Sequence, residues 1–274
     1  MKQNYTHIEV ILDQSGSMLG RKSDVIGSFN AFIKEQQQLS VNGDCTVSLT
    51  LFSDDYQPIY SMKPLKDVVE LTPASYRPGG NTSLLYTMIK VIDSLGLQLG
   101  NLSEDQRPDR VVVLTLTDGE ENHSYIHEPS LLTRNLQPQY LNAVAAGISN
   151  QLPVVTFHQP LQPPSTLQLN PTPLYDSAQL LRRIKEQTDV YSWTFVYLGA
   201  NHDAFTAGQS MGYSMSNTLN YAASSKGFSD AFKSTGSNIS AVRTSTRDAY
   251  LTKSKAFFVD ADQQQQDANL AATT

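Results

Sequence analysis

The apolar positions of this chain fall into short runs that suit strands and wider-spaced stripes that suit helices. Ile8, Val10, Ile11 and Leu12 form a run that stops at Asp13, which reads as a buried strand ending in a polar turn. Val25, Ile26, Phe29, Phe32 and Ile33 recur at helical spacing and predict a helix over 24–38, with Ser23 as its cap and Asp24 in its first turn. Cys45–Phe52 is alternating and β-branched, a second strand. After the tight Ser53-Asp54-Asp55 connection, residues 56–62 suit an antiparallel edge strand, in keeping with Pro58. Leu65, Val68, Val69 and Leu71 anchor a crossover over 64–76. Leu84, Leu85, Met88, Ile89, Ile92 and Leu95 predict a second long helix, ended by Gly96 and Gly100. A polar loop over 104–110 then leads into 111–116, a continuous apolar run expected of a strand covered on both faces.

Further on, Leu180, Leu181 and Ile184 predict a helix over 177–188, and 193–198 a strand. A helix over 202–211, a short strand at Thr218–Tyr221 and a helix over 226–246 follow, the last with Phe228, Phe232, Ile239 and Val242 inward. Strands alternating with helices imply an α/β, doubly wound, mostly parallel sheet with helices on both faces. Two stretches fall outside this pattern. Residues 125–175 are rich in Pro and Gln (Gln159-Pro160, Gln162-Pro163-Pro164) and read as an insertion, with a candidate short helix over 140–148 and a short strand over 154–157. In the tail, 256–259 can still pack, but 263–266 and the Ala/Thr end read as disordered. The expected organisation is one domain over 1–250 that carries the insertion, then a partly disordered tail over 251–274.

The 274 residues are 39% hydrophobic and 17% charged, enough for a sizeable core. A net charge of -6 and the lack of a long basic run argue against a general nucleic-acid surface. No run of apolar residues is long enough to predict a membrane span. The first strand begins within a few residues of Met1, which leaves no room for a secretory leader, and the single cysteine, Cys45, suits a reducing compartment. A cytoplasmic location is expected, with Cys45 a small core residue.

The chemistry concentrates where the first strand ends. In an extended stretch Asp13, Ser15 and Ser17 point the same way, and they can converge if Gly16 lets the backbone bend. Three oxygen donors without thiol or imidazole suit a hard divalent cation, while Asp13 or Ser15 could instead cap the next helix. Two later stretches bear on this choice. Thr82 lies in Arg77-Pro78-Gly79-Gly80-Asn81-Thr82-Ser83-Leu84, at the opening of a helix. Asp118 closes the strand Val111-Val112-Val113-Leu114-Thr115-Leu116-Thr117-Asp118-Gly119.

Asp-x-Ser-x-Ser after a first strand, a Thr after a Gly-rich turn and an Asp after a later strand, in this order, resemble the metal-ion-dependent adhesion site of von Willebrand factor type A (vWA) domains. The resemblance covers most of the chain. Leu198-Gly199-Ala200-Asn201-His202-Asp203-Ala204 is similar to a signature of prokaryotic and phage-borne members. The resemblance implies a six-stranded, mostly parallel sheet with one antiparallel edge strand. It implies Mg²⁺ (or Mn²⁺) held by Asp13, Ser15, Ser17, Thr82 and Asp118, the carboxylates acting directly or through water. It further implies capture of a partner protein's Asp or Glu on the metal, in a non-enzymatic, intracellular adaptor for complex assembly, with a MoxR-type AAA+ ATPase system as the suggested partner. A structural or phage-associated protein with an incidental metal is the alternative.

Other candidates carry blander readings. Glu120, Glu121, Asp54 and Asp55 read as solvated loop residues that could tune the field near the metal. Thr117 reads as strand-end packing and Gly119 as a left-handed turn. Asn201 or Asp203 can cap the next helix. His123, His127 and His158 show no spacing that converges on zinc. A Mg²⁺-dependent phosphotransferase or hydrolase similar to haloacid-dehalogenase-like enzymes would want a second Asp where Ser15 stands. Ser15 or Ser17 as a nucleophile lacks a visible base or elbow.

Overall fold

A computed structural model describes residues 1–39, 43–119, 121–124, 175–200 and 204–272. Among these, six strands form one sheet: β1 (Lys2–Asp13), β2 (Cys45–Phe52), β3 (Tyr56–Pro64), β4 (Pro108–Thr117), β5 (Thr194–Ala200) and β6 (Thr218–Tyr221). Their order is β3-β2-β1-β4-β5-β6, all parallel except the antiparallel edge strand β3. The helices are α1 (Lys22–Gln38), α2 (Leu84–Gly100), α3 (Ser177–Tyr191), α4 (Ala204–Met211), α5 (Ser225–Thr244), α6 (Arg247–Lys253) and α7 (Asp260–Ala271). This is the doubly wound α/β architecture with helices on both faces.

Side-chain alternation along the strands divides the core in two. Ile8, Val10 and Leu12 of β1, with Val112, Leu114 and Leu116 of β4, pack against Phe29 and Phe32 of α1 and Phe228, Phe232 and Ile239 of α5. Ile11, Val111 and Val113 face the other way, against Leu84, Met88 and Ile92 of α2 and Leu180 and Ile184 of α3. Burial on both faces is why β4 reads as an unbroken apolar run. Strand order reverses between β1 and β4, which pair in parallel with Leu12 opposite Leu116. Their carboxyl ends therefore meet at the topological switch point, where open α/β sheets place ligands.

Several local expectations are corrected. Residues Gly16–Arg21 form a 3₁₀ turn because Met18 is fully buried, so α1 starts at Lys22 and Ser23 lies inside it without capping it. Gly96 sits within α2 and does not end it. Leu65, Val68 and Leu71 are buried as anchors, but Val69 is 63% exposed. Asp109 and Arg110, read as loop, belong to β4. The Asp109 carboxylate accepts from the Asn4 and Tyr5 backbone N–H groups at 3.2 and 3.0 Å. Residues 263–266, read as disordered, lie in α7, which packs on α5 and β6. Most of the expected insertion (125–174), with its candidate helix and strand, and Asn201, His202 and Asp203 lie outside the described residues. Among those described, no helix is long and apolar enough to cross a membrane.

Candidate functional site

The register of β1 and β4 sets Asp13 beside Thr117 at the switch point. Asp13 is fully buried. Its Oδ1 accepts from the Ser15 backbone N–H at 2.6 Å and its Oδ2 from the Thr117 hydroxyl at 2.5 Å. Burial pushes its carboxyl up from 3.8 to about 6, against the opposing pull of those hydrogen bonds. The buried Tyr76 hydroxyl donates to the Asp13 carbonyl at 2.5 Å and fixes the strand end. Thr117 is thus a positioning residue for Asp13 as well as a packing one.

Ser15 keeps an extended backbone (φ −62°, ψ 170°). Strand alternation therefore aims Asp13 and Ser15 together, whereas the 3₁₀ turn delivers Ser17. Ser15 Oγ and Ser17 Oγ stand 3.0 Å apart, and the Ser17 hydroxyl donates to Asp118 Oδ1 at 2.6 Å. Gly16 does not bend into the left-handed region. Its N–H donates to the Gly80 carbonyl at 2.9 Å, and a Cβ on Gly16 would come within 3.2 Å of that oxygen, so close approach of two loops is what requires glycine. Gly80 is left-handed (φ +80°), and a Cβ there would collide with the Asp54 carboxylate. With Gly79 N–H donating to the Gln14 carbonyl at 2.8 Å, these contacts pin the Gly-Gly loop to the end of β1.

That loop carries Thr82, which is buried. Its N–H donates to Asn122 Oδ1 at 2.9 Å, and the Asn122 N–H returns a bond to the Thr82 carbonyl at 3.1 Å. Gly119 is not in the left-handed conformation expected of it. A methyl group on Gly119 would stand 3.5 Å from Thr82 Oγ1 and 3.7 Å from Ser17 Oγ, so these two hydroxyls face one small space beside Asp118. All five oxygen-bearing residues singled out in the sequence, Asp13, Ser15, Ser17, Thr82 and Asp118, are brought to the same edge of the sheet.

The supporting residues are less visible in the sequence. Glu121 is not a solvated loop residue: its carboxylate accepts from the N–H groups of Leu85, His123 and Ser124 at 2.8, 2.8 and 2.6 Å, and from the Ser124 hydroxyl at 2.6 Å. Ser124 in turn accepts from the Tyr86 N–H at 2.8 Å. Together they satisfy the first turn of α2 and lock the loop after β4 onto the loop that carries Thr82. Glu121→Ala is expected to cost about 2 kcal/mol in urea unfolding, the range of a charged helix cap, and a loss below about 0.5 kcal/mol would deny it this role. Arg21 forms an ion pair with Asp118 Oδ2, and its Nη2 donates to the Ala223 carbonyl at 3.5 Å.

The donor set fits a small hard cation. An octahedral ion with bonds of about 2.0–2.1 Å places neighbouring ligand oxygens about 2.9 Å apart. Ser15 Oγ and Ser17 Oγ already hold a 3.0 Å edge. Among the described residues, no group of three or more His, Cys, Asp or Glu side chains is placed to hold a metal, so any ion here would depend on the hydroxyls.

No family model and no curated protein matches the chain. Solved structures do. The vWF domain of the type V pili tip protein Mfa5 from Porphyromonas gingivalis matches at 12% identity and a TM-score of 0.51, over 87% of this chain and 96% of that one. The pilus adhesin SpaC from Lactobacillus rhamnosus GG, in an open conformation, matches at 14% identity and a TM-score of 0.51, over 88% of this chain and 30% of that one. The chain has the von Willebrand factor type A fold. The ArnB paralog VWA2 from Sulfolobus acidocaldarius is similar at 15% identity and a TM-score of 0.46, over 86% of this chain and 45% of that one. The chain thus spans nearly all of the Mfa5 domain but less than half of the other two proteins.

In this vWA fold the remaining candidates have structural employment. Asp54 Oδ1 accepts from the Asn81 N–H and side-chain amide at 3.0 and 2.8 Å and shapes the Gly-Gly loop. Asp55 accepts from the Tyr56 N–H at 2.7 Å. His123 Nε2 lies 3.4 Å from Asp54 Oδ1. Glu120, His127 and His158 lie outside the described residues.

Proposed function

We propose that the chain is a non-enzymatic protein-binding module that depends on Mg²⁺ (or Mn²⁺). Asp13, Ser15, Ser17, Thr82 and Asp118 would hold the ion, and an Asp or Glu of a partner protein would complete its coordination. The observation that carries this reading is the convergence of three hydroxyls and two carboxylates, from three separate loops, on one edge of the switch point. When bound, the ion supplies a Lewis-acidic position open to an outside oxygen. The chain's residues set the terms. Neutral hydroxyls in place of further carboxylates keep negative charge at the site low, so an incoming carboxylate is attracted rather than repelled. Asp13 is held in place by Ser15 and Thr117, so little order has to be created on binding. Ser17 is exposed at the rim, where a partner can reach.

A pili tip protein and a pilus adhesin share the fold, which is in keeping with a binding use of this edge. The proposal extends to a cytoplasmic adaptor for complex assembly, with a MoxR-type AAA+ ATPase system as partner. That extension rests on the motif resemblance and the lone Cys45. The test is a pull-down from host lysate with the wild-type chain in Mg²⁺, the same chain in EDTA, and the double variant Asp13→Ala with Thr82→Ala. A protein captured only by the intact chain in Mg²⁺ supports the reading. Capture that is equal in all three arms would show that the metal edge is not the docking surface.

A further inference from the structure

The Asp118 side chain is 1% exposed, and the Arg21 side chain that pairs with it is 19% exposed. A carboxylate buried so deeply needs a compensating cation, because leaving it unpaired is strongly unfavourable. Arg21 provides one: its Nη1 is ion-paired with Asp118 Oδ2 while Asp118 Oδ1 takes the Ser17 hydroxyl. Arg21 is the last residue of the 3₁₀ turn that presents Ser17, so it is tied to the ligand loop by four residues of chain. It also reaches across to the Ala223 carbonyl between β6 and α5. Both oxygens of Asp118 are therefore in use within the protein.

A divalent ion held by Ser15, Ser17 and Asp118 would lie a few ångströms from this guanidinium. Two cations that share one carboxylate at such a distance repel each other, and burial strengthens the repulsion. We propose that Arg21 is a built-in competitor for the metal: it neutralises Asp118 in the metal-free protein and sets the metal affinity below what the five ligands alone would give. This rests on the metal reading above and adds the residue that tunes it. A bound ion would compete with Arg21 for Asp118, whose Oδ2 the guanidinium holds. Removing Arg21 should make the site bind metal more tightly and the metal-free fold less stable, two effects of opposite sign from one side chain.

The experiment is calorimetric titration of MgCl₂ into the full chain at fixed ionic strength, with thermal melts in EDTA, for wild type, Arg21→Gln, Arg21→Met and Arg21→Lys. Arg21→Met keeps the aliphatic stem, so one neutral variant remains if the other folds poorly. The neutral variants are expected to bind Mg²⁺ about tenfold more tightly, about 1.4 kcal/mol, while Arg21→Lys stays within about threefold of wild type. In EDTA the neutral variants should melt below wild type. A purely structural Arg21 would lower the melting temperature without tightening Mg²⁺ binding. Equal or weaker binding by the neutral variants overturns this proposal and leaves the metal reading standing, whereas no binding by wild type or any variant overturns both.

Discussion

Asp13→Asn is expected to weaken Mg²⁺ binding by at least about a thousandfold, about 4 kcal/mol, while the fold survives. The amide keeps an oxygen for the Ser15 N–H, so the local geometry is retained, but one of the two negative charges offered to a divalent ion is gone, and the other, Asp118, is already paired with Arg21. The metal-free protein should show the opposite preference. Burial raises the Asp13 carboxyl to about 6 from 3.8, so the folded state binds this proton more tightly than the unfolded state. The stability contributed by the protonated group is complete below 3.8 and is lost as pH rises to about 6. A rise of that size corresponds to about 3 kcal/mol, so in EDTA at neutral pH Asp13→Asn should equal wild type or exceed it by up to that amount. If Asp13 holds the metal as proposed, a proton and the metal would compete for its carboxylate, and wild-type Mg²⁺ affinity should fall about tenfold for each pH step of one below about pH 6, rather than below about pH 4. Titrations and melts at about pH 5, 6 and 7.5 read all of this. An Asp13→Asn chain that binds Mg²⁺ like wild type would remove Asp13 from the ligand set.

The fold was legible because its core obeys simple periodicities. The continuous apolar run of β4 reports burial on both faces, and the helical stripes of α1, α2 and α5 name their inward residues correctly. Misreadings arose where a tertiary contact outranked local pattern. Ser23-Asp24 looks like a helix start, but burial of Met18 winds the preceding residues into a 3₁₀ turn and moves the boundary. Val68 and Val69 look equivalent, yet neighbouring side chains cannot both face the core there. Asp109 and Arg110 look like loop because they are charged. Their partners, the N–H groups of Asn4 and Tyr5 and the Ser245 carbonyl, lie more than a hundred residues away in sequence.

The same contrast holds at the site. Its five oxygen donors stand at strand ends and a Gly-rich turn, positions that pattern reveals, and they come together at the switch point. Residues that hold them in place leave no local trace. Glu121 caps a helix that begins 37 residues before it, and Asn122 holds Thr82 across 40 residues. Nothing in Gly20-Arg21-Lys22 points to Asp118, which lies 97 residues further on, until the fold lays Arg21 on it. The candidate residues are thus marked by short spacings, whereas the residues that position them are marked only by contacts between distant loops.

Phe257→Ala is expected to destabilise the protein by about 3–5 kcal/mol, the cost of truncating a fully buried aromatic ring in a core. The ring belongs to the same cluster as α1 and α5, although it lies in a tail whose sequence is polar on both sides. Its N–H donates to Asn217 Oδ1 at 3.0 Å, and the Phe258 N–H donates to the Ser216 carbonyl at 2.9 Å, so the segment is bonded to the turn before β6. Beyond it, α7 returns along α5: Asp262 Oδ2 accepts from the Asn238 amide at 3.1 Å, and the Asn269 amide donates to Asp230 at 2.9 Å. Gln266 and Asn269 are buried in this contact; Asn269 is bonded across it, whereas the Gln266 Oε1 has no partner, so the apolar anchor and the Asp262 and Asn269 bonds hold the glutamine-rich stretch in place. Two phenylalanines supply the apolar anchor, and amides supply directional bonds along the helix. Urea unfolding of the full chain decides the matter. A loss below about 1 kcal/mol would show that the tail is peripheral, whereas the full loss would make residues 256–271 an integral layer of the fold beside β6.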